Sequence, residues 1–103
     1  MKLHIKVNRE SKFFMFRMPV NTDEVDDYLN FVKDPMDFEK MHMKLDDGEY
    51  NCAQDFLNDI DLIAENAIEY NCDLKYETNR IICHRARALQ VSLVYIQIYF
   101  KVI

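Results

Sequence analysis

Phe56, Ile60, Ile63, Ala67 and Tyr70 recur at spacings of 4, 3, 4 and 3, which commits this part of the chain to an amphipathic α-helix. The stripe stops at Asn71, and the residues from Cys72 to Thr78 carry no helical rhythm. A carboxamide therefore stands where a buried helix opens into a loop. It offers a donor and an acceptor from a rigid element, the chemistry needed to hold another amide. Asn is also a common helix terminator, so capping is the plainer use of the same residue.

A second stripe, Ile82, Ala86, Leu89, Leu93, Ile96 and Phe100, has spacings of 4, 3, 4, 3 and 4, the pattern of a bundle seam. The β-branched residues Val91, Val94, Ile98, Val102 and Ile103 weaken its helix propensity, but the periodicity outweighs them. This helix is expected to start at Thr78 or Asn79. Upstream, Phe38, Met41 and Leu45 form a third stripe, with Asp37 placed to cap it and Gly48 to end it in a left-handed turn. Asn51, with Gln54 three residues on, resembles a capping box opening the helix that leads to Asn71. One Gly and two Pro in 103 residues argue against a turn-rich β fold. The expectation is an all-α four-helix bundle in one domain spanning 1–103, with a long ordered loop between helices 1 and 2.

The start of the chain is ambiguous. Lys2, Leu3, His4, Ile5, Lys6 and Val7 alternate as a strand would, yet Leu3 and Val7 also suit a short amphipathic helix. With no second strand to pair, a helix over about residues 1–12, short or truncated, is favoured. Phe13, Phe14, Met15 and Phe16 then follow in a row, too many large apolar groups for one inward face. Part of this segment is expected to line a cavity. Pro19 interrupts regular structure, and Thr22 or Asp23 is placed to cap a helix whose apolar side is Val25, Tyr28, Leu29 and Val32. Asp34-Pro35 ends it. A long ordered connection in a small domain usually carries function.

Charge and composition narrow the function classes. A net charge of −5 disfavours sequence-specific nucleic-acid binding, and serves either solubility or the attraction of basic partners. Three cysteines without CxxC spacing, and no signal peptide at the start, point to a reducing compartment. His4, His42 and His84 are scattered and make no metal set, and no cofactor loop is visible. Asp46-Asp47-Gly48 fails as a calcium loop, because Gln54 stands where the bidentate Glu is needed. The apolar run from Val91 to Ile103 is interrupted by Ser92, Gln97 and Lys101 and is shorter than the ~20 residues of a membrane span. No nucleophile–base signature or paired-carboxylate motif points to an enzyme, and no GxxxxGK[ST] is present.

Phe14-Met15-Phe16, Pro19-Val20, Val25, Tyr28, Pro35-Met36-Asp37-Phe38, Lys44-Leu45, Tyr50, Asn66-Ala67 and Tyr70-Asn71 resemble, in order and spacing, the pattern of a bromodomain. The resemblance runs from about Phe13 to Leu89, and Asp59 to Ile63 with His84-Arg85-Ala86 is most similar to the bromodomains of chromatin-associated AAA ATPases (ATPase family AAA domain-containing proteins). Any ATPase would lie outside these residues. The resemblance implies a left-handed four-helix bundle with an acetyl-lysine pocket at its open end. Carried over by position, Asn71 would donate to the acetyl carbonyl and Tyr28 would reach the same oxygen through a water. Val20 and Val25 would form a wall, Phe16 would pack beside the methyl group, and Ile82 would be the gatekeeper, with Ile81 the alternative. Phe14 and Met15 would make the shelf, with Tyr70 and Asp73 at the rim. Two departures stand out. The shelf reads Phe-Met-Phe where most bromodomains have Trp-Pro-Phe, and the loop after Asn71 is one residue longer.

The resemblance implies a non-enzymatic nuclear reader of acetylated histone tails, monomeric as an isolated domain. Neither membrane binding nor a cofactor is expected. The rival is a docking module that keeps the fold and binds a protein partner without recognising acetyl-lysine.

Overall fold

The computed structural model describes residues 11–102, with side chains defined from 13 to 98. A 3-10 helix at Ser11–Phe16 leads through turns to the one-turn helix α1 (Tyr28–Phe31), followed by α2 (Phe38–Asp46), α3 (Ala53–Tyr70) and α4 (Glu77–Val102). No strand occurs among the described residues, and none of their helices is long and apolar enough to cross a membrane. The helix expected over about residues 1–12 lies outside the described residues except for its last two positions, which open the 3-10 helix.

The two long helices form the most extensive pairing. Phe56, Ile60, Ile63 and Ala64 of α3 meet Ala86, Leu89 and Leu93 of α4 in one buried cluster. Ala64 and Ala86 are fully buried, and side chains that small let two helix backbones come close. Each large apolar group buried here contributes about 1.5–3 kcal/mol. Phe38 and Met41 of α2 join the same cluster, as the third stripe predicts, with Leu45 only half-buried.

Caps explain where the helices begin and end. Asp37 sits in extended backbone and its carboxylate accepts the Lys40 N–H at 2.9 Å, the expected N-cap of α2. Past the end of α2, Gly48 takes φ 69°, a left-handed conformation. A β-carbon there would meet nothing within 4 Å, so backbone preference and not space calls for glycine. The capping box expected at Asn51 does not form. Cys52 is the N-cap of α3 without a side-chain bond, and Gln54 turns along the helix to donate to Asn58 at 2.8 Å. An i, i+4 amide pair on an exposed face competes directly with the reach back to the cap. The last helix begins at Glu77, one residue before Thr78.

The helix expected from Thr22 or Asp23 is also shorter than its pattern. Asn21 accepts the Asp23 N–H on its side-chain oxygen at 3.0 Å and the Val25 N–H on its carbonyl at 2.9 Å. These are the bonds of a helix start, with Asn21 in the capping place expected of Thr22 or Asp23, but the turn is not continued, and regular helix is confined to Tyr28–Phe31. Tyr28 and Val32 are buried as expected, whereas Leu29 is 52% exposed.

The long connection is tied down at several points. Asn66, buried on α3, donates to the Asp34 carbonyl at 2.9 Å, and the Glu39 N–H donates to the Arg17 carbonyl at 3.0 Å. Earlier on α3, Asp59 accepts from Lys44 Nζ at 2.6 Å and from the Tyr50 hydroxyl at 2.7 Å. These bonds fix the loops against α3 without filling the space between the connection and the start of α4.

Candidate functional site

That space is a cavity of about 420 Å³ at the end of the bundle where α3 stops and α4 starts. The connection lines it with Met15, Phe16, Met18, Val20, Val25, Tyr28 and Met36. From α3 come Ile63, Ala67, Tyr70 and Asn71, and from α4 come Thr78, Ile81 and Ile82. Why the connection faces it follows from the 3-10 helix, whose three-residue turn places Phe13 and Phe16 inward together. Met15, Met18, Val20 and Ile81 remain exposed around the opening, an apolar rim of the kind that marks a binding surface.

Polar groups are few and their states are defined. Asn71 is the C-cap of α3; its backbone N–H and its side-chain Nδ2 both donate to the Ala67 carbonyl, at 3.1 and 2.8 Å. A carbonyl can face only the NH2 end of a carboxamide, so this contact sets which way the amide is turned. The second Nδ2–H and the Oδ1 atom have no partner among the described residues. Asn71 is thus both cap and half-used donor.

Tyr28 is 6% exposed, and its hydroxyl has no hydrogen-bond partner among the described residues. Burial, with a further contribution from the Asp37 carboxylate, holds its phenol above the usual tyrosine range, so it stays a neutral donor. Its ring meets that of Tyr70 edge-on, with centroids 5.0 Å apart. Tyr70 donates its own hydroxyl to Asp27 Oδ1 at 2.5 Å, and this bond foremost raises its pKa. One tyrosine hydroxyl is therefore committed and the other is not.

Of the residues singled out in the sequence, Asn71, Tyr28, Val20, Val25, Phe16, Ile82, Met15 and Tyr70 come together around this cavity. Ile81 lines it beside Ile82, so both gatekeeper candidates face the same space. Phe14 and Asp73 are not among the lining residues. Phe14 is 60% exposed and carries the Arg17 guanidinium 4.6 Å above its ring; the 3-10 turn that buries Phe13 and Phe16 sends it outward. Asp73 faces Lys75, accepting its backbone N–H at 3.3 Å and pairing with its Nζ at 3.6 Å. Met18, Met36, Ile63, Ala67 and Thr78 line the cavity without having been singled out. Ile63 and Ala67 lie on the α3 stripe, where the pattern reports burial but not what is buried against it. Among the described residues, no three His, Cys, Asp or Glu side chains could hold a metal ion together.

An apolar slot with a tethered amide, at the open end of a helical bundle, has the shape and polarity to take a small, largely neutral group. Residues 3–85 match the family model described as Bromodomain, and the chain belongs to the bromodomain family, a family of acetyl-lysine reader modules. It is 47% identical over 81 residues to the human ATPase family AAA domain-containing protein 2B, covering 79% of this chain and 6% of that protein. The mouse ATPase family AAA domain-containing protein 2 is 44% identical over 81 residues, covering 79% of this chain and 8% of the relative. The human Bromodomain and PHD finger-containing protein 3 is 44% identical over 57 residues, covering 55% and 5%. The chain thus spans only a small part of each of these relatives. Among solved structures, the bromodomain from human BAZ1A superposes with a TM-score of 0.77, covering 91% of this chain and 83% of that one. At 24% identity, this is a likeness of fold.

Proposed function

We propose that this domain is a non-enzymatic reader of acetylated lysine on histone tails, working in the nucleus. The observation that carries the reading is the Asn71 carboxamide, with one N–H spent on Ala67 and the other left at the wall of an apolar slot. That N–H donates to the acetyl carbonyl, a bond contributing ~1 kcal/mol net. Tyr28 donates toward the same oxygen through a water, its hydroxyl being uncommitted. Val20 and Val25 form one wall, Phe16 packs by the methyl group, Met15 supplies the shelf, and Ile82 with Ile81 closes the other side.

Selectivity follows from desolvation. Acetylation turns an ammonium into a neutral amide, which an apolar slot accepts. The unmodified lysine would enter as an uncompensated charge at several kcal/mol, and among the described residues no acidic side chain lines the slot to offset it. One side chain in a shallow site gives modest affinity, on the order of micromolar or weaker.

Calorimetric titration of acetylated and unmodified histone-tail peptides tests this, with Asn71→Ala alongside. The reader binds only the acetylated peptide and loses it in the variant. Binding indifferent to both the acetyl group and the substitution would sink the reading and favour a docking module, for which the outward Phe14 ring is the supporting observation.

A further inference from the structure

Three side chains at the start of α4 reach back and donate to carbonyls of the segment that follows α3. Asn79 Nδ2 donates to the Asp73 carbonyl at 2.9 Å, Arg80 Nη1 to the Leu74 carbonyl at 2.8 Å, and the Cys83 thiol to the Asn71 carbonyl at 3.3 Å. The cap carbonyl of Asn71 and the loop carbonyls of Asp73 and Leu74 lie beyond the helical ladder of α3, and here the next helix supplies their partners. The geometry matters because of what it joins. Both bonds from Asn71 to Ala67 lie within α3 and its cap, so they fix the amide relative to α3 alone. The opposite wall, Ile81 and Ile82, belongs to α4. Cys83 follows that wall directly in sequence and is the member of the trio that touches Asn71 itself.

We infer that Cys83 is a positioning residue for Asn71, holding the carboxamide at its working distance from the α4 wall, with Asn79 and Arg80 fixing the loop beyond it. The inference rests on the reader function proposed above. A thiol is a weak donor, but at 7% exposure Cys83 has little water to compete for it. The ordinary use of such a residue is as a small buried hydrophobe. The two roles differ in what a hydroxyl does in its place. Serine restores a donor if positioning is the role, and is only a misplaced polar group if packing is.

The test uses the whole chain carrying Cys83→Ala or Cys83→Ser, with two readouts. In the peptide-free protein, the NMR signals of the Asn71 side-chain NH2 report how the amide is held. Calorimetry with an acetylated histone-tail peptide reports binding. Cys83→Ala is expected to move the Asn71 signals and weaken binding about fivefold, the loss of roughly one net hydrogen bond, and Cys83→Ser to restore both. An Ala variant that binds and resonates like the parent, or a Ser variant no better than Ala, overturns the inference. If Cys83→Ala does not fold, Asn79→Ala and Arg80→Met, both at the open loop, decide it: unmoved Asn71 signals in both overturn the inference. A parent chain that ignores acetylation refutes the reader function, while the peptide-free signals still judge Cys83.

Discussion

Asn66 on α3 donates its side-chain amide to the main-chain carbonyl of Asp34, 32 residues earlier, at 2.9 Å. This bond holds the end of the long connection against the helix that ends in Asn71. Replacing Asn66 with Ala leaves a part-buried carbonyl without its partner, and a lost partner of that kind costs about 1–3 kcal/mol. Urea unfolding should show that loss in Asn66→Ala. Peptide affinity should fall too, because Met36, just beyond Asp34, lines the cavity.

Tyr28→Phe separates stability from binding. The parent hydroxyl is buried with no protein partner among the described residues, so its removal should leave the melting temperature unchanged or higher. Acetylated-peptide affinity should fall about fivefold if the hydroxyl serves the ligand. A parallel loss of both would assign Tyr28 to the core alone.

The neighbours Phe14 and Met15 should behave oppositely in the same titration. Met15→Ala removes apolar surface from the slot and should weaken binding several-fold, whereas Phe14→Ala should leave it within about twofold.

Asp37 offers a test of charge against capping. Burial raises its carboxyl pKa above the ordinary value, working against the Lys40 N–H bond that lowers it. A group whose folded pKa is raised loses stability as pH climbs from its unfolded value through its folded one. Asp37→Asn keeps an acceptor for Lys40 and drops the buried charge, so it should stay near parental stability at neutral pH and lose that acid-range slope. Asp37→Ala loses the cap, at about 1 kcal/mol. Thermal melts across the acid range check both.

At the alkaline end, Tyr28, Tyr50 and Tyr70 all hold their protons more tightly than a free phenol. Burial leads for Tyr28 and Tyr50, and the Asp27 bond leads for Tyr70. An unfolded chain releases these protons near pH 10, and the folded chain only above it. The unfolded state then binds fewer protons, so stability should fall as pH rises past about 10. Melting temperatures between about pH 8 and pH 11 should show the decline, shallower in Tyr50→Phe.

The long helices were legible because a stripe of period 3.6 reports burial directly, and Asp37 and Gly48 because caps and left-handed turns demand particular residues. Asn51 and Gln54 misled because the Gln54 side chain can bond either back to the cap or on to Asn58, and sequence does not rank the two. Val25, Tyr28, Leu29 and Val32 form a true apolar pattern, yet the helix is confined to Tyr28–Phe31, and Tyr28 and Val32 reach the core while Leu29 lies in solvent. For the site, Asn71 stood out because its stripe ended there. Met36 and Thr78 did not, since a wall residue is defined by what lies across from it, and that depends on how far the chain folds back.

The 3-10 segment places a sharper limit on this domain's evolution than any single residue type does. With three residues per turn, adding or deleting one position between Phe13 and Phe16 rotates everything beyond it by about a third of a circle. The anchoring rings would swing to the surface and the outward ones into the core. A substitution at position 14 is therefore absorbed in solvent and one at position 15 alters the rim of the cavity, while the length of this short run stays locked.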